Sequence, residues 1–254
     1  MQSNDFSRIF IGRNRINLDR VASTNDYLKA ELSKSKPLPE GTVIMAVEQF
    51  EGRGQVGTRW ESQKGKNLTV SILLSPYFLK PSNQFDLNIA ISLAIQAVLS
   101  TLLTEKVFIK WPNDIYVGNK KVGGILIENI IQGNTWKYAI IGIGLNVNQS
   151  EFPENAPNAS SLIKLLHESY SIEKLLTEIC SGIEHRYFQL KHGEHEQKRL
   201  YCEALFGIHE KRMFKINGIL VEGTIVDVDD NGQLVVDFDG HLAKFAFKEI
   251  EYVI

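Results

Sequence analysis

A glycine-rich loop that carries positive charge offers the clearest chemistry in the sequence. Residues 52–57 read G-R-G-Q-V-G, with Arg53 inside the loop and Arg59 two residues beyond it. Dinucleotide-binding folds need a helix directly after such a loop, but residues 58–66 are polar and lead into a predicted strand. A protein kinase would carry H-R-D and D-F-G elements, which this sequence lacks. We predict a loop that approaches a phosphate with amides and cations; a surface hairpin is the alternative.

A second group of polar residues falls where one predicted strand ends and the next begins. Residues 110–114 read K-W-P-N-D, and the proline interrupts the hydrogen-bond ladder at this point. A lysine, an amide and a carboxylate together at a strand end are typical of a functional site. The alternative is a turn in which Asn113 and Asp114 form hydrogen bonds with their own backbone.

Two further strands carry glycines near one end. Residues 121–125 read K-V-G-G-I, and paired glycines before a buried strand indicate the close approach of a ligand or another backbone. Residues 142–148 read G-I-G-L-N-V-N. The amide of Asn146 offers a donor and an acceptor to the edge of a heterocycle.

The elements that must position these segments are a mixture of helices and strands. The predicted strands cover residues 9–11, 42–47, 67–74, 107–110, 114–117, 122–130 and 136–143. The predicted helices cover residues 25–33, 87–104 and 171–192, with further helical pattern as far as residue 206. Because the two types do not alternate strictly, we predict an α+β domain with a largely antiparallel or mixed sheet.

The segment over residues 87–104 contains no charged residue and just reaches the length of a membrane span. Polar residues recur along it at every fourth position, which predicts a mostly buried helix of a soluble core. The first thirty residues contain several charges and no apolar signal region. Two cysteines, Cys180 and Cys202, fit a reducing compartment. We therefore predict a cytoplasmic protein without a membrane segment.

The chain changes character after Gly207. Three hairpin-type dipeptides, N-G at 217, N-G at 231 and D-G at 239, separate runs rich in valine, isoleucine and phenylalanine. Five short strands in a small SH3-like barrel are predicted. The expected division is a main domain over residues 1–207 and a β domain over residues 208–254, which is too small to be robust alone.

Composition and missing motifs exclude several function classes. The 28 basic and 30 acidic residues give a formal net charge of −2 with no long basic run, so a nucleic-acid partner is not expected. The sequence contains no G-x-S-x-G, H-E-x-x-H or C-x-x-C element, which removes the commonest hydrolase and zinc sites. The six histidines are assigned no role.

Taken together and in order, these segments resemble the biotin protein ligases. The resemblance rests on Ser23-Thr24-Asn25, Gln49 and residues 52–60, 110–114, 121–125 and 142–146. It spans about residues 15–150, and the small β domain is also a feature of that family. It implies a catalytic domain similar to the class II aminoacyl-tRNA synthetases. The implied reaction has two steps: biotin and MgATP form biotinyl-5′-adenylate, and a lysine of a carrier domain then accepts the biotinyl group.

The resemblance also implies roles for individual residues. Biotin would contact Ser23, Thr24, Asn25, Gln49, Arg53, Gly54, Gln55, Lys121, Gly123, Gly124, Gly142 and Gly144. The nucleotide would contact Arg53, Gln55, Arg59, Trp60, Lys110, Asn113 and Asn146, with Asp114 facing Mg²⁺. Because a carboxylate must attack an anionic phosphate, cations are needed between them, and Lys121 and Arg53 would be catalytic.

The sequence departs from the family pattern in the loop and at the start of the chain. Gln55 and Thr58 stand where many members have arginines, which predicts a weaker hold on the adenylate unless Arg59 compensates. The sequence begins directly with catalytic-domain sequence, without the winged helix-turn-helix of some members, so DNA binding is not expected. The partner would be a biotin carboxyl carrier domain of a biotin-dependent carboxylase, and a homodimer is left open.

Two alternatives to a biotin ligase remain from the sequence. A lipoate ligase shares the catalytic fold, but the glycine-rich loop and the β domain argue against it. A binding module that holds biotin without turnover is disfavoured because Arg53, Lys121 and Asn146 are all retained.

Overall fold

A seven-stranded mixed sheet lies at the centre of the structure. A computed structural model of the chain describes residues 10–36, 38–194 and 196–254. The strands of this sheet are β1 Arg15–Val21, β2 Val43–Gln49, β3 Leu68–Leu74, β4 Val107–Lys110, β5 Asp114–Val117, β6 Lys120–Gln132 and β7 Thr135–Leu145. Their order is β1-β2-β3-β7-β6-β5-β4, with β1 and β2 parallel and all other neighbours antiparallel. The predicted α+β class with a mixed sheet is confirmed.

Helices cover both faces of this sheet. They are α1 Thr24–Leu32, α2 Gln84–Leu102, α3 Leu162–Leu166, α4 Ile172–Lys191 and α5 Glu196–Glu203, with short 3₁₀ turns at Gln55–Gly57 and Pro81–Asn83. Successive residues of a strand point to opposite faces. Ile72 accordingly packs in the large core with α2, whereas Leu73 packs with Leu28 of α1. The predicted helices over 25–33, 87–104 and 171–192 correspond to α1, α2 and α4.

Helix α2 is the main helix of the large core. By length and composition alone, Pro81–Leu102 could cross a membrane. Nine of the nineteen residues of α2 are buried, and the helix packs against α4 and α5. Its polar stripe faces protein as well, because Asn88 Nδ2 donates to Pro112 O at 2.8 Å and Gln96 Nε2 donates to Val107 O at 3.1 Å. The expectation of a helix buried in a core therefore agrees with the packing of α2.

Strand β1 was not predicted, although it forms one edge of the sheet. Charged residues interrupt its sequence, R-I-N-L-D-R-V, and no residue of it is fully buried. An edge strand needs only one neighbour, so its burial pattern is too weak to identify it from sequence. The strand predicted over residues 9–11 begins outside the described residues, and residues 10 and 11 lie in coil and turn.

The C-terminal part forms a separate antiparallel sheet. Its strands are β8 Lys211–Ile216, β9 Ile219–Val228, β10 Leu234–Phe238, β11 His241–Phe245 and β12 Glu251–Tyr252, in the order β11-β10-β9-β8-β12. The five predicted strands are present. Both Asn217 and Gly218 have positive φ, as do Asp239 and Gly240, which is the geometry that two-residue hairpins require. The predicted small all-β unit is therefore confirmed; within the described residues β11 and β12 are not paired, so its five strands form an open sheet and not a closed barrel.

The two sheets share one hydrophobic core. Phe214, Ile225 and Val236 of the C-terminal sheet belong to the same cluster of buried side chains as α2 and the central sheet. Between the sheets, Phe206 N donates to Ile109 O at 2.9 Å and fixes the chain to β4. The domain division at residues 207 and 208 stays a prediction; the second sheet itself begins at Lys211.

Candidate functional site

A cavity lies beside the central sheet, where the glycine-rich loop meets β5, β6 and β7. Fifteen of the eighteen residues predicted for the site line it: Thr24, Asn25, Gln49, Arg53, Gly54, Gln55, Arg59, Trp60, Lys110, Asn113, Asp114, Lys121, Gly124, Gly142 and Gly144. The sheet topology explains this convergence, because β5, β6 and β7 are neighbours and bring three separate motifs to one place.

Three predicted residues lie outside the lining of this cavity. Ser23 caps α1, and its Oγ accepts from Asp26 N at 3.3 Å. A Cβ at Gly123 would stand 2.2 Å from Leu145 Cδ2, so this glycine allows close packing of β6 on β7. Asn146 is buried and its Nδ2 donates to Ser160 O at 2.9 Å. Their ligand-binding roles stay predictions.

One wall of the cavity is a network of hydroxyl and amide groups. Thr24 donates to Gln49 Oε1 from its backbone N at 2.9 Å and from its Oγ1 at 3.2 Å. Ser71 Oγ lies 2.7 Å from Thr24 Oγ1 and donates to Asn25 Oδ1 at 2.5 Å. Because these contacts fix each side chain, the wall presents oriented donors and acceptors to a polar ligand.

Two glycines of β7 make room for side chains of the cavity. A Cβ at Gly142 would stand 2.7 Å from Asn25 Oδ1, and one at Gly144 would stand 2.4 Å from Trp60 Cε2. The indole of Trp60 therefore lies directly against the strand. Its Nε1 is buried and has no hydrogen-bond partner among the described residues. A flat aromatic face with an unused N–H donor is suited to a heterocyclic ligand.

Arg53 is held by two carboxylates. Its Nη2 lies 2.7 Å from Asp26 Oδ1 and 2.8 Å from Glu128 Oε2, and Glu128 also accepts from Asn25 Nδ2 at 2.8 Å. The arginine side chain is 41% exposed, so solvent and an incoming anion can reach it. In this conformation the predicted catalytic cation is neutralised by acidic residues that the sequence analysis did not assign to the site.

Lys121 and Asp114 form an ion pair on the other side of the cavity. Lys121 Nζ lies 2.6 Å from Asp114 Oδ1, and both side chains are partly exposed. A Cβ at Gly124 would stand 3.2 Å from Asp114 Oδ1 and 3.7 Å from Lys121 Nζ. The glycine between them thus leaves the ion pair open to the cavity.

The residues around Asp114 do not form a resident metal site. Among the described residues, no group of three or more His, Cys, Asp or Glu side chains could hold a metal ion. Magnesium commonly binds through one or two carboxylates together with substrate phosphates. One carboxylate beside two lysines is compatible with an ion that arrives on a nucleotide, not with a dedicated cage.

Lys110 is enclosed by aromatic rings. Its Nζ lies 4.8 Å from the ring centre of Tyr252 and 5.6 Å from that of Tyr116. Burial lowers the pKa of Lys110, while the nearby charge of Asp114 acts in the opposite direction. Burial also raises the pKa of both tyrosines, so the two rings stay neutral beside the ammonium.

Several residues that complete the cavity were not predicted from the sequence, among them Trp111 and Phe247. Trp111 Nε1 donates at 2.9 Å to Gly232 O in the turn between β9 and β10, and its ring centre lies 6.2 Å from that of Phe247. The Trp111–Pro112 peptide is cis. Trp111 could have been found because it lies inside the K-W-P-N-D segment. Phe247 has no local signal, since only the contact between the two sheets brings it to the cavity.

Comparisons with known proteins agree with this arrangement. Residues 18–146 match the Biotin/lipoate A/B protein ligase family. The bifunctional ligase/repressor BirA of Bacillus spizizenii is 31% identical over 247 residues, which cover 95% of this chain and 74% of BirA. The chain belongs to the biotin/lipoate protein ligase family. The biotin–acetyl-CoA-carboxylase ligase of Mycobacterium tuberculosis is 27% identical, over 88% of this chain and 84% of its own.

The solved structures lead to the same family. The biotin protein ligase from Aquifex aeolicus, in complex with biotin and ATP, matches with a TM-score of 0.79 and 26% identity. The match covers 95% of this chain and 100% of that chain. The resemblance to biotin protein ligases that the sequence motifs indicated is therefore confirmed.

Proposed function

We infer that this protein is an ATP-dependent biotin protein ligase. In the first step, a carboxylate oxygen of biotin bonds to the α-phosphorus of ATP and pyrophosphate leaves. In the second step, the amine of a carrier lysine bonds to the acyl carbon, AMP leaves and the amine loses a proton. The family membership and the ligase relatives support this activity.

One observation carries the proposal for the site. A single cavity contains cationic side chains, an oriented polar wall and an aromatic face: Lys121 and Arg53 are the proposed catalytic cations, Lys110 and Arg59 also line the cavity, and Trp60 supplies the face. Each of these three features corresponds to one part of the biotinyl-adenylate: the mixed anhydride, the ureido ring and the adenine.

We propose that the polar wall binds biotin. The ureido ring of biotin offers one carbonyl acceptor and two N–H donors. Thr24 and Gln49 line the cavity, and the Thr24 hydroxyl and the Gln49 carboxamide could exchange their mutual hydrogen bond for contacts with these groups. Gly124 leaves space beside Lys121 for the valeryl carboxylate to approach the cation.

The two cations would act where charge accumulates. Two anionic groups must come within bonding distance in the first step, so positive charge between them lowers the barrier. Lys121 is placed for this because, within the described part of the chain, its ammonium pairs with a single carboxylate, Asp114 Oδ1 at 2.6 Å, and is partly exposed. Arg53 would exchange its contacts with Asp26 and Glu128 for the phosphate of the bound nucleotide.

The nucleotide would lie between Trp60 and Lys110. Stacking on the indole suits adenine, and an ammonium enclosed by rings suits a phosphate. Magnesium would enter as MgATP, with the Asp114 carboxylate as one oxygen ligand beside the phosphates. Asn113 is buried, and its Nδ2 donates to Ile125 O, which fixes the turn that presents Asp114.

The partner and the location are further parts of this proposal. The acceptor would be the biotin carboxyl carrier domain of a carboxylase, as the name of the mycobacterial relative suggests. A cytoplasmic protein that does not bind DNA is the expected setting, and self-association through the exposed edge of β1 is compatible with the fold.

One assay tests the proposed function. The protein is incubated with MgATP, a biotin carboxyl carrier domain and either biotin or lipoate, and the mass of the carrier is measured. We expect the mass of one biotinyl group, only with biotin and only with ATP. Lipoyl transfer, or biotin binding without transfer, would contradict the proposal.

A further inference from the structure

Two buried carboxamides hold the segment that leads from the glycine-rich loop into β3. Asn67 and Gln149, which we call the amide pair, are each 4% exposed. Gln149 Oε1 accepts from Asn67 Nδ2 at 2.5 Å and from Gln63 N at 3.1 Å. Gln149 Nε2 donates to Glu151 O at 2.7 Å, and Asn67 Oδ1 accepts from Val147 N at 3.0 Å. Each side-chain polar atom of the amide pair therefore has a partner, as buried polar groups require.

The amide pair joins two parts of the chain that are distant in sequence. Gln149 lies four residues after the end of β7, and Gln63 lies three residues after Trp60. Residues 61–67 form no helix or strand. Among the described residues, Gln63 N is the first group after Trp60 to form a hydrogen bond. The amide pair is thus the contact closest in sequence to Trp60 on the side of the loop that returns to β3.

The indole of Trp60 has no polar contact of its own to fix it. Its Nε1 has no hydrogen-bond partner among the described residues, and a Cβ at Gly144 would stand 2.4 Å from its Cε2. The backbone on both sides must therefore hold the ring. Trp60 N donates to Gly52 O at 2.9 Å on one side, and Gln63 N donates to the amide pair on the other. A shift of this segment would move the ring away from β7 or against it.

We propose that Gln149 is a positioning residue for the nucleotide, because it fixes the backbone that holds Trp60 against Gly144, an inference that rests on the proposed function. Gln149 does not belong to the described residues that line the cavity, so it acts through Trp60 and not by contact with a ligand. A buried polar network with every member paired specifies one arrangement of the chain. An indole already in place for stacking lowers the entropy cost of binding adenine.

The test uses two variants that break the same contact from its two ends. Gln149→Met keeps the length of the side chain and removes its hydrogen bonds. Gln63→Pro removes only the N–H that Gln149 accepts, at an exposed position, and so tests the contact even where Gln149→Met does not fold. Biotin-dependent exchange of pyrophosphate into ATP gives the KM for ATP and the KM for biotin, and thermal melting reports stability.

Asn148→Ala is the matched control. Asn148 lies in the same turn as Gln149, but its side chain binds the backbone of Tyr170: Nδ2 donates to Tyr170 O at 2.9 Å and Oδ1 accepts from Tyr170 N at 3.0 Å. The variant therefore loosens the turn without removing a side-chain contact to residues 61–67. A second comparison adds Gln149→Met to Trp60→Ala, which shows whether the effect of Gln149 needs the indole.

We expect Gln149→Met and Gln63→Pro to raise the KM for ATP about five- to tenfold, as the loss of a hydrogen bond predicts, and the KM for biotin less than about twofold. Asn148→Ala should lower the melting temperature and keep the wild-type KM for ATP. In the Trp60→Ala background, Gln149→Met should raise the KM for ATP no further.

Three results would contradict the inference alone. They are an unchanged KM for ATP in both variants, an equal rise of the KM for both substrates, and an undiminished effect of Gln149→Met in the Trp60→Ala background. A rise in Asn148→Ala as large as that in Gln149→Met would also contradict it, because any loosening of the turn would then suffice. A wild-type protein without biotin-dependent exchange would contradict the proposed function and this inference with it.

Discussion

The central sheet supplies the charged groups of the cavity, whereas the C-terminal sheet supplies rings and backbone that hold them in place. Lys121, Asp114 and Arg53 lie on the central sheet or its loops. The C-terminal sheet contributes the Gly232 carbonyl that accepts from Trp111 and the ring of Tyr252 that packs on Lys110. The comparison indicates that the chemistry resides in one sheet but depends on the second sheet for its geometry.

The largest effect on activity should come from removing the positive charge of Lys121. We expect Lys121→Ala to slow adenylate formation about 10²- to 10³-fold, because a preorganised charge acts mainly in the transition state. Biotin affinity should change much less. Pre-steady-state formation of adenylate and equilibrium biotin binding would measure the two effects. Lys120→Ala is the control, since Lys120 is the exposed neighbour on the same strand. A wild-type rate in Lys121→Ala would remove this lysine from the mechanism.

Removing an aromatic ring of the C-terminal sheet should have a smaller effect, and it should act on the KM for ATP. Tyr252→Leu removes the ring beside the Lys110 ammonium, a contact of about 0.5–2 kcal/mol. The KM for ATP should rise several-fold while biotin affinity is retained. Tyr252→Phe keeps the ring, and the lost hydroxyl has no partner among the described residues, so this variant should behave as wild type. If both variants lose ATP affinity equally, the ring is not what positions Lys110.

The lowered pKa of Lys110 predicts that the KM for ATP depends on pH. Burial lowers the pKa of Lys110, so its ammonium loses the proton at a lower pH than an ordinary lysine does. As pH rises through that value, attraction for the phosphates of ATP is lost and the KM for ATP should increase. In Lys110→Arg the guanidinium stays charged, and the increase should move to higher pH. Identical KM profiles in the two proteins would argue against a phosphate contact of Lys110.

The smallest effect is expected from the glycine-rich loop, and it should act on the release of the adenylate. Gln55 donates only neutral hydrogen bonds, which are about half as strong as charge-assisted ones, so Gln55→Arg should slow release of the adenylate about fivefold. Arg59→Ala should speed it, if the two positions hold the same phosphate. Release is followed without acceptor after the adenylate has formed. Equal rates in wild type and both variants would mean that backbone contacts and loop closure retain the intermediate.

Much of the central sheet could be predicted because its strands are continuous apolar runs. All seven residues of β3 are buried, and such a run is readily identified. Edge strand β1 lacked that pattern and was missed. The hairpin dipeptides predicted the C-terminal strands correctly, because each turn is a local feature. Closure of a barrel depends on the pairing of distant strands, β11 and β12, and local turns do not determine it.

In the candidate site, too, contacts between residues that are distant in the chain could not be predicted from local sequence patterns. Gly142 and Gly144 could be assigned to a site because residues 142–146 resemble a segment of the biotin protein ligases, and both glycines line the cavity. Asp26 and Glu128 were missed, although both bind Arg53, because ion pairs between distant residues leave no trace in local spacing. Tyr252 was missed for the same reason.

The shared core has a consequence for how this protein unfolds. Phe214 and Val236 belong to the same cluster of buried side chains as Leu99 of α2. Side chains in one cluster lose their contacts together, so we expect the two sheets to melt in a single cooperative transition. The C-terminal sheet then contributes to the thermal stability of the central sheet. A substitution that destabilises one sheet should lower the melting temperature of both.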